Sequence, residues 1–530
     1  MNNGGNMNYI KDSKFYFLNK NLDDKRTGIE NSILLRARLF EKYLHVSPII
    51  VTTQYNPRLN LQRKELVKLG LISKNIKIIN LYEYFQETIT DEVILKDDHW
   101  KINSEWKYQR VEGTSDYRIF DESGKKIIYR KCDKEGRLEY NNIFLNNKII
   151  RRDYYDSNNY LSKIQQVDPE TGEVFAETYY RIDRSPCIHK HFKIINGKRV
   201  LSLIQLLSRE GTILHSFETE EDFISYWIKT LVEDNCRIYF IMERPEMFYH
   251  GLKNIKQPNI IKIAMIHSSH LQWYKEKKSY LTCSLNTNYS MILNDFSEFD
   301  HAIDAVIVLT ETQKEHIKER FGDYNKLYAI PHAIENDIQP VGISKREPQK
   351  AIYVSRYSAV KQHDNLVRIF KMVVEAHPNA TLHFYGYGPE KNKIIQLVQE
   401  LGLEKNIKIN DFIENVEDVY NSASLSINTS LSEGFSLFIL ESIAHGLPVI
   451  SYDIDYGPNE MIDHGVNGYL VDLNNEGKMA EYIIDLFRNQ KKLEVMSEAS
   501  YKKSKEFTAE RVMEKWRIVL SEISSKKEKK

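Results

Sequence analysis

Two acidic residues, Glu433 and Glu441, stand on either side of the turn Gly434-Phe435-Ser436, which leads into an apolar helical run. The pattern places Glu433 in a polar loop at the end of a strand. Glu441 falls about one and a half turns into the helix, on the face that looks back toward that loop. Between them the amides of Gly434, Phe435 and Ser436 form a helix N-terminus, which suits a phosphate. Acids beside a phosphate repel it unless they bind hydroxyls. A sugar nucleotide offers hydroxyls on both sides of its pyrophosphate, on the ribose and on the hexose. Read alone, the segment also fits a capped amphipathic helix with an exposed glutamate.

A second segment, Ser355-Arg356-Tyr-Ser-Ala-Val-Lys361, follows a strand and precedes a helix. Arg356 can fork onto phosphate oxygens and Lys361 adds a compact charge. Together they would neutralise a departing pyrophosphate without a metal. Two solvated surface cations are the bland alternative. Further candidates are Tyr385-Gly386-Tyr-Gly388-Pro-Glu390, Ile266-His267-Ser-Ser-His270 at a strand end, and Thr27-Gly28 opening a helix.

The elements that must position these residues fall into three textures. Residues 1–85 alternate strands (Lys14–Leu18, Ser47–Thr53, Ile76–Asn80) with helices starting at Gly28 and Gln62, the mark of a parallel sheet. Residues 86–214 hold short Tyr/Ile/Phe/Val runs between turn clusters such as Asp121–Gly124, Asp133–Gly136, Asp156–Asn159 and Asn196-Gly197, which read as an antiparallel meander. Residues 215–337 resume the α/β pattern, so the meander is read as an insertion, with an independent β domain as the alternative. Ile338–Gln349, polar with two prolines, reads as a hinge. A second α/β domain spans 338–508, with strands Ala351–Ser355, Thr381–Tyr385, Ser424–Ile427, Pro448–Tyr452 and Gly468–Val471. A C-terminal helix and basic tail cover 509–530. The expected fold class is α/β: two facing Rossmann-like domains with an antiparallel β domain inserted in the first, ligands binding at strand ends.

Composition narrows the function classes. Of 530 residues, Lys+Arg and Asp+Glu number 74 each, so net charge is zero and whole-protein binding to nucleic acid is not expected. No apolar run is long enough for a membrane span, and Met1–Asn8 lacks a signal pattern. Four scattered cysteines, Cys132, Cys187, Cys236 and Cys283, form neither a disulfide framework nor a zinc motif. The expected location is the cytoplasm, including the inner face of the membrane, with at most peripheral membrane contact through the tail Lys526–Lys530.

Together, the E-x7-E pair, the Arg/Lys loop and the G-x-G-x-E turn resemble the retaining glycosyltransferases of the GT-B fold, family 4. The resemblance implies a UDP-sugar donor and no metal or other cofactor. It implies that Arg356 and Lys361 hold the diphosphate, Glu441 the ribose and Glu433 the hexose. Asp411-Phe-Ile413 would flank the uracil, with Gly386, Gly434, Phe435, Ser436 and Gly28 approaching the donor. His267 is assigned to the transferred sugar, with His270 in support. Asp453-Ile-Asp455 matches the metal motif of the other large glycosyltransferase fold, but it lies beyond the E-x7-E helix and the Arg/Lys pair already does the metal's work. A glycosidase, a sugar-nucleotide epimerase and a non-catalytic partner subunit fit the motifs less well.

Within that family the long insertion, the Thr27-Gly28 turn, the I-H-x-x-H strand end and Ile450–Pro458 resemble wall teichoic acid α-glycosyltransferases. That resemblance implies transfer of glucose from UDP-glucose to poly(glycerol-phosphate), with a homotrimer assembled through the insertion. The polyanion would meet cations such as Lys125, Lys126, Arg130, Lys131, Arg151 and Arg152. The alternative is an N-acetylglucosaminyltransferase acting on poly(ribitol-phosphate) or on a serine-rich adhesin.

Overall fold

The computed structural model describes residues 10–528 except residues 11, 24, 89–104, 234, 275, 277, 295–301, 323–324 and 336–337. Residues 89–104 of the expected insertion, the segment Met1–Asn8, the two residues before the expected hinge and the last two of the basic tail therefore lie outside the described residues. The chain forms two compact units.

One unit comprises Ser13–Asp24 and Ser47–Ile260. Its parallel strands run in the order Arg237–Met242, Ser13–Asn19, Ile49–Thr52, Lys77–Asn80. They are almost uninterrupted apolar runs, as strands covered on both faces must be. Helix Glu220–Thr230 begins where the Thr219 hydroxyl accepts from the Asp222 amide, carries three acids in its first turn, and buries Phe223, Ile224, Trp227 and Ile228.

Strand Arg237–Met242 pairs directly with Ser13–Asn19, so everything between residues 81 and 236 leaves this sheet and returns to it. That excursion contains a ten-stranded antiparallel meander, Lys107–Arg110 through Ile213–Phe217, each strand beside its sequence neighbour. Two of its hairpins turn on Asn146-Asn147 and Asn196-Gly197, all four residues at positive φ as tight two-residue hairpin turns require. The second turn is expected from its Asn-Gly pair, whereas the first is not, because Asn-Asn lacks the glycine that marks such turns. The last strand also carries the sheet past residue 214 to Phe217.

The meander is anchored through aromatic and charged groups. Tyr82 and Tyr179 rings lie 4.6 Å apart, and the Lys190 ammonium donates to the Tyr82 hydroxyl at 2.7 Å. Gln86 donates to the carbonyls of Ser162 and Tyr180 at 2.8 and 2.9 Å. Lys163 sits 4.4 Å over Tyr55 and 4.5 Å over Tyr154, and burial brings its pKa down to about 8. Arg151 of the expected cation run is paired with Asp153, and Lys131 with Asp116.

The other unit comprises Met1–Asp12, Lys25–Val46 and Ile261–Lys530. It holds three parallel strands, Ile260–Met265, Ala305–Val308 and Leu327–Ala329. It also holds a six-stranded parallel sheet ordered Ile407–Asn410, Thr381–Tyr385, Lys350–Val354, Leu425–Asn428, Val449–Tyr452, Gly468–Val471. Numbered along the chain, that is the order 3-2-1-4-5-6 of a dinucleotide-binding sheet. Its direction reverses between Lys350–Val354 and Leu425–Asn428, and ligands of such sheets bind beyond the strand ends at that point.

The C-terminal helix Ala509–Glu528 returns across this unit. Ile334 and Ala509 bond through backbone at 3.0 Å, and Trp516 meets Phe40 edge-on at 5.3 Å. Lys526 donates to the Asn325 carbonyl at 2.6 Å, and Lys527 pairs with Asp304 at 2.9 Å, so these two lysines are held by the fold. Among the described residues no helix is long and apolar enough to cross a membrane.

Candidate functional site

The reversal point carries both loops singled out in the sequence. Strand Lys350–Val354 runs into Ser355–Lys361, and strand Leu425–Asn428 into residues 429–436. Backbone and buried hydroxyls lace the two loops together. The Leu431 amide donates to the Val360 carbonyl at 2.8 Å, and the Thr429 hydroxyl to the Lys361 and Gln362 carbonyls at 3.1 Å each. The Tyr353 hydroxyl joins Ser430 at 2.8 Å and donates to the Lys361 carbonyl at 3.2 Å.

At the centre, the Lys361 ammonium donates to Glu433 Oε1 at 2.5 Å, with the two side chains 17% and 12% exposed. Arg356 is exposed on the same loop. Beneath them His363 is buried, and burial, helped by the Lys361 charge, brings its pKa down to about 3. It stays neutral and adds no further positive charge under the loop.

Glycines set how closely these loops pack. A Cβ on Gly386 would lie 2.0 Å from the Ser355 carbonyl oxygen, and one on Gly388 2.3 Å from that of Tyr357. The structure thus gives Gly386 a role in seating its turn against the Arg356 loop. A Cβ on Gly434 would lie 2.3 Å from the His267 carbonyl oxygen, bringing together the loop of Glu433 and the end of strand Ile260–Met265.

Helix Leu437–Ala444 begins without a side-chain cap, leaving first-turn amides for an anion. Its N-cap, Ser436, has φ 71°, a strained value for a non-glycine residue and one that marks a constrained site. Phe435 offers its backbone only, since its ring is packed edge-on against His332 and Phe507. One turn along, Glu441 Oε2 accepts from the Tyr420 hydroxyl at 2.6 Å, and burial raises the Glu441 pKa.

His267 and His270 part company. His267 is 8% exposed and stacks on His332, ring centres 6.0 Å apart. Burial drives His332 well below the usual imidazole range, so it stays neutral. His270 is fully buried and lies 3.5 Å from the Gln313 amide. Burial, then the charges of Arg320 and His316, bring its pKa down to about 3. This places His270 in packing rather than in support of sugar binding.

Gly28 opens helix Gly28–Leu39, and a Cβ there would sit 3.3 Å from Leu437 Cδ1, close to the Glu441 helix. The turn before it is held by Tyr387, whose hydroxyl donates to the Lys25 carbonyl at 3.1 Å, and by the Arg26–Glu414 pair at 3.7 Å. Asp411, in the loop expected beside a uracil, pairs with Lys391 at 2.6 Å. A pocket opens beside Glu433, lined among others by Ser269, Trp273, Asp453, Asp455 and Tyr456. Among the described residues no group of three or more His, Cys, Asp or Glu side chains is placed to hold a metal.

Residues 334–503, which carry both loops and the E-x7-E helix, match the family model for glycosyl transferases group 1. The chain carries a group 1 glycosyl transferase domain. Over 98% of its length the chain is 26% identical to the poly(glycerol-phosphate) alpha-glucosyltransferase of Bacillus subtilis (strain 168), covering 76% of that protein. It is 24% identical to the poly(ribitol-phosphate) alpha-N-acetylglucosaminyltransferase of Staphylococcus aureus (strain COL), over 95% of this chain and 98% of that one. Among solved structures, a mutant of S. aureus TarM in complex with fondaparinux, alpha-GlcNAc-glycerol and UDP matches with TM-score 0.79 at 22% identity, covering 96% of this chain and 99% of that one. The likeness is one of fold, a mixed α/β arrangement of GT-B type, and the matched domain is of the glycosyl transferase kind.

Several residues of the glycosyltransferase site carried no readable sequence signal. Tyr420 lies 21 residues before Glu441 in a short helix, His332 sits in a loop without a motif, and Tyr387 is the variable position between the two glycines of the Tyr385–Glu390 turn. Trp273, three residues after His270, is exposed and lines the pocket beside Glu433.

Proposed function

We propose that the protein is a retaining glycosyltransferase that moves glucose from UDP-glucose to hydroxyls of poly(glycerol-phosphate) wall teichoic acid. The observation that carries the donor half is the gathering of Arg356, Lys361, Glu433, Glu441 and an uncapped helix at one reversal point. The acceptor half is supported by likeness along nearly the whole chain to the B. subtilis enzyme of that activity. The S. aureus relative supports N-acetylglucosamine and poly(ribitol-phosphate) as the second reading.

In this mechanism the diphosphate lies against the first-turn amides of helix Leu437–Ala444, with Arg356 and Lys361 as counter-charges. Glu441 accepts from the ribose hydroxyls. Glu433 accepts from the hexose, and Lys361 moves from Glu433 toward the phosphate. The bond between the sugar C1 and the diphosphate oxygen breaks, and a bond from C1 to the acceptor oxygen forms on the same face. The acceptor proton passes to the departing diphosphate, leaving UDP and an α-glycoside. The cations stabilise charge that develops on the leaving group, so the chemistry needs no metal from the donor site. His267, at the end of its strand, contacts the transferred sugar. The hairpin tip of the meander, where Ile194, Ile195 and Val200 are 48%, 51% and 42% exposed, supports oligomerisation through the insertion.

The test is UDP release by purified protein with UDP-glucose or UDP-N-acetylglucosamine, each with poly(glycerol-phosphate), poly(ribitol-phosphate) or no polymer. The expected outcome is polymer-dependent release with UDP-glucose and poly(glycerol-phosphate). Release only with UDP-N-acetylglucosamine and poly(ribitol-phosphate) would replace it by the second reading. The absence of stimulation by either polymer would overturn the acceptor assignment.

A further inference from the structure

The segment expected to be a loose hinge contains a buried guanidinium. Arg346 is 5% exposed, no carboxylate pairs with it among the described residues, and burial lowers its pKa to about 10. Its charge is met by four backbone carbonyls instead: Val341 at 2.8 Å, Ala423 at 3.1 Å, Tyr420 at 3.4 Å and His445 at 2.5 Å. Tyr420 and Ala423 belong to the end of helix Glu417–Ser422, and His445 is the C-cap of helix Leu437–Ala444. Carbonyls at helix ends carry partial negative charge, so one planar cation serves both termini.

Those two anchor points flank Glu441. The Tyr420 hydroxyl donates to the Glu441 carboxylate at 2.6 Å, and the His445 amide donates to the Glu441 carbonyl at 3.1 Å. The Tyr420 and His445 rings stack with centres 4.8 Å apart. A buried charge held only by dipoles is an expensive way to join two helix ends if packing is the sole purpose. We propose that Arg346 is a positioning residue for the donor, fixing Glu441 and the helix that presents its N-terminus to the diphosphate. The proposal rests on the donor-site reading above. Lysine cannot replace the arginine, because a point charge on a flexible stem does not span both helix ends.

The experiment is UDP binding by calorimetry together with steady-state kinetics for wild type, R346M, R346K and E441Q, with melting curves for each. Both Arg346 variants are expected to raise the Kd for UDP and the KM for UDP-sugar about tenfold, which is about 1.4 kcal/mol. The KM for the polymer should stay within about twofold, a separation that general destabilisation does not produce. In R346A, added guanidinium ion should restore UDP affinity. Folded R346K that binds UDP as wild type does, with only a lower melting temperature, would overturn the proposal, and R346K serves this purpose even if R346M does not fold. Wild type and E441Q binding UDP equally would overturn the donor-site reading, and this role with it.

Discussion

Glu433→Gln is expected to lower kcat by about 10²–10³-fold while the Kd for UDP changes by no more than about threefold. The carboxylate accepts from Lys361 at 2.5 Å with both groups mostly shielded from water. Glutamine keeps the size and one acceptor but removes the charge. In the proposed donor complex Lys361 takes the diphosphate as its partner, so on that reading loss of the carboxylate does not strand the lysine and UDP affinity survives. What the proposed mechanism then loses is the acceptor facing the hexose, where positive charge develops as the C1–O bond breaks. Steady-state kinetics with a parallel UDP titration separate the two effects. A fall in UDP affinity as large as the fall in kcat would assign Glu433 to nucleotide binding instead.

Gly434→Ala tests a different feature, the contact between the Glu433 loop and the His267 strand end. Gly434 is not among the glycines at positive φ, so alanine meets no backbone penalty there. The penalty is steric. Its methyl would lie 2.3 Å from the His267 carbonyl oxygen, 2.7 Å from the carbonyl carbon and 2.8 Å from Ser268 Cα, backbone atoms that cannot rotate aside. The two segments must separate, moving His267 away from the place the proposed mechanism gives the sugar. A misplacement of about 1 Å costs about 100-fold in rate, and overpacking costs about 1–3 kcal/mol of stability. The expected result is kcat reduced about 100-fold, a lower melting temperature and UDP binding retained, because Arg356, Lys361 and Glu441 all lie in the loop and helix that follow strands of the six-stranded sheet. Full activity would mean that the working form holds these segments apart.

How much of this was legible in the sequence depends on where each element sits. Thr381–Tyr385 and Gly468–Val471 match the expected strands residue for residue, and Lys350–Val354, Leu425–Asn428 and Val449–Tyr452 differ by one residue at one or both ends. All but Gly468–Val471 are central strands of a parallel sheet, and that edge strand is an unbroken run without a charged residue, a pattern hard to misread. Ile407–Asn410 escaped because Lys408 and Asn410 interrupt its apolar residues, and Leu327–Ala329 because three residues are too few to form a pattern.

The site divides in the same way. Glu433, Arg356 and Lys361 could be placed because each lies in a loop after a strand, and Glu441 because it lies one turn inside the helix that opens after Ser436. The Lys361–Glu433 pair could not, since it depends on which two strands are neighbours across the reversal point. Arg346 was hidden more deeply. Its polar surroundings and nearby prolines suggest a flexible link, and a guanidinium satisfied by backbone carbonyls leaves no partner residue in the sequence to betray it. The glycines of the Tyr385–Glu390 turn were noticed for a donor contact, whereas their packing against Ser355 and Tyr357 explains Gly386 and Gly388 by close backbone approach.

The most direct measurement is the anomeric configuration of the product formed from UDP-glucose and poly(glycerol-phosphate), read by proton NMR from the coupling constant of the new anomeric signal. Same-face transfer at a donor held by Arg356, Lys361 and the Glu441 helix predicts an α-glucoside, retaining the configuration of UDP-α-glucose. A β-linked product would contradict the account, because it requires attack from the face opposite the departing diphosphate and a general base that this arrangement does not assign.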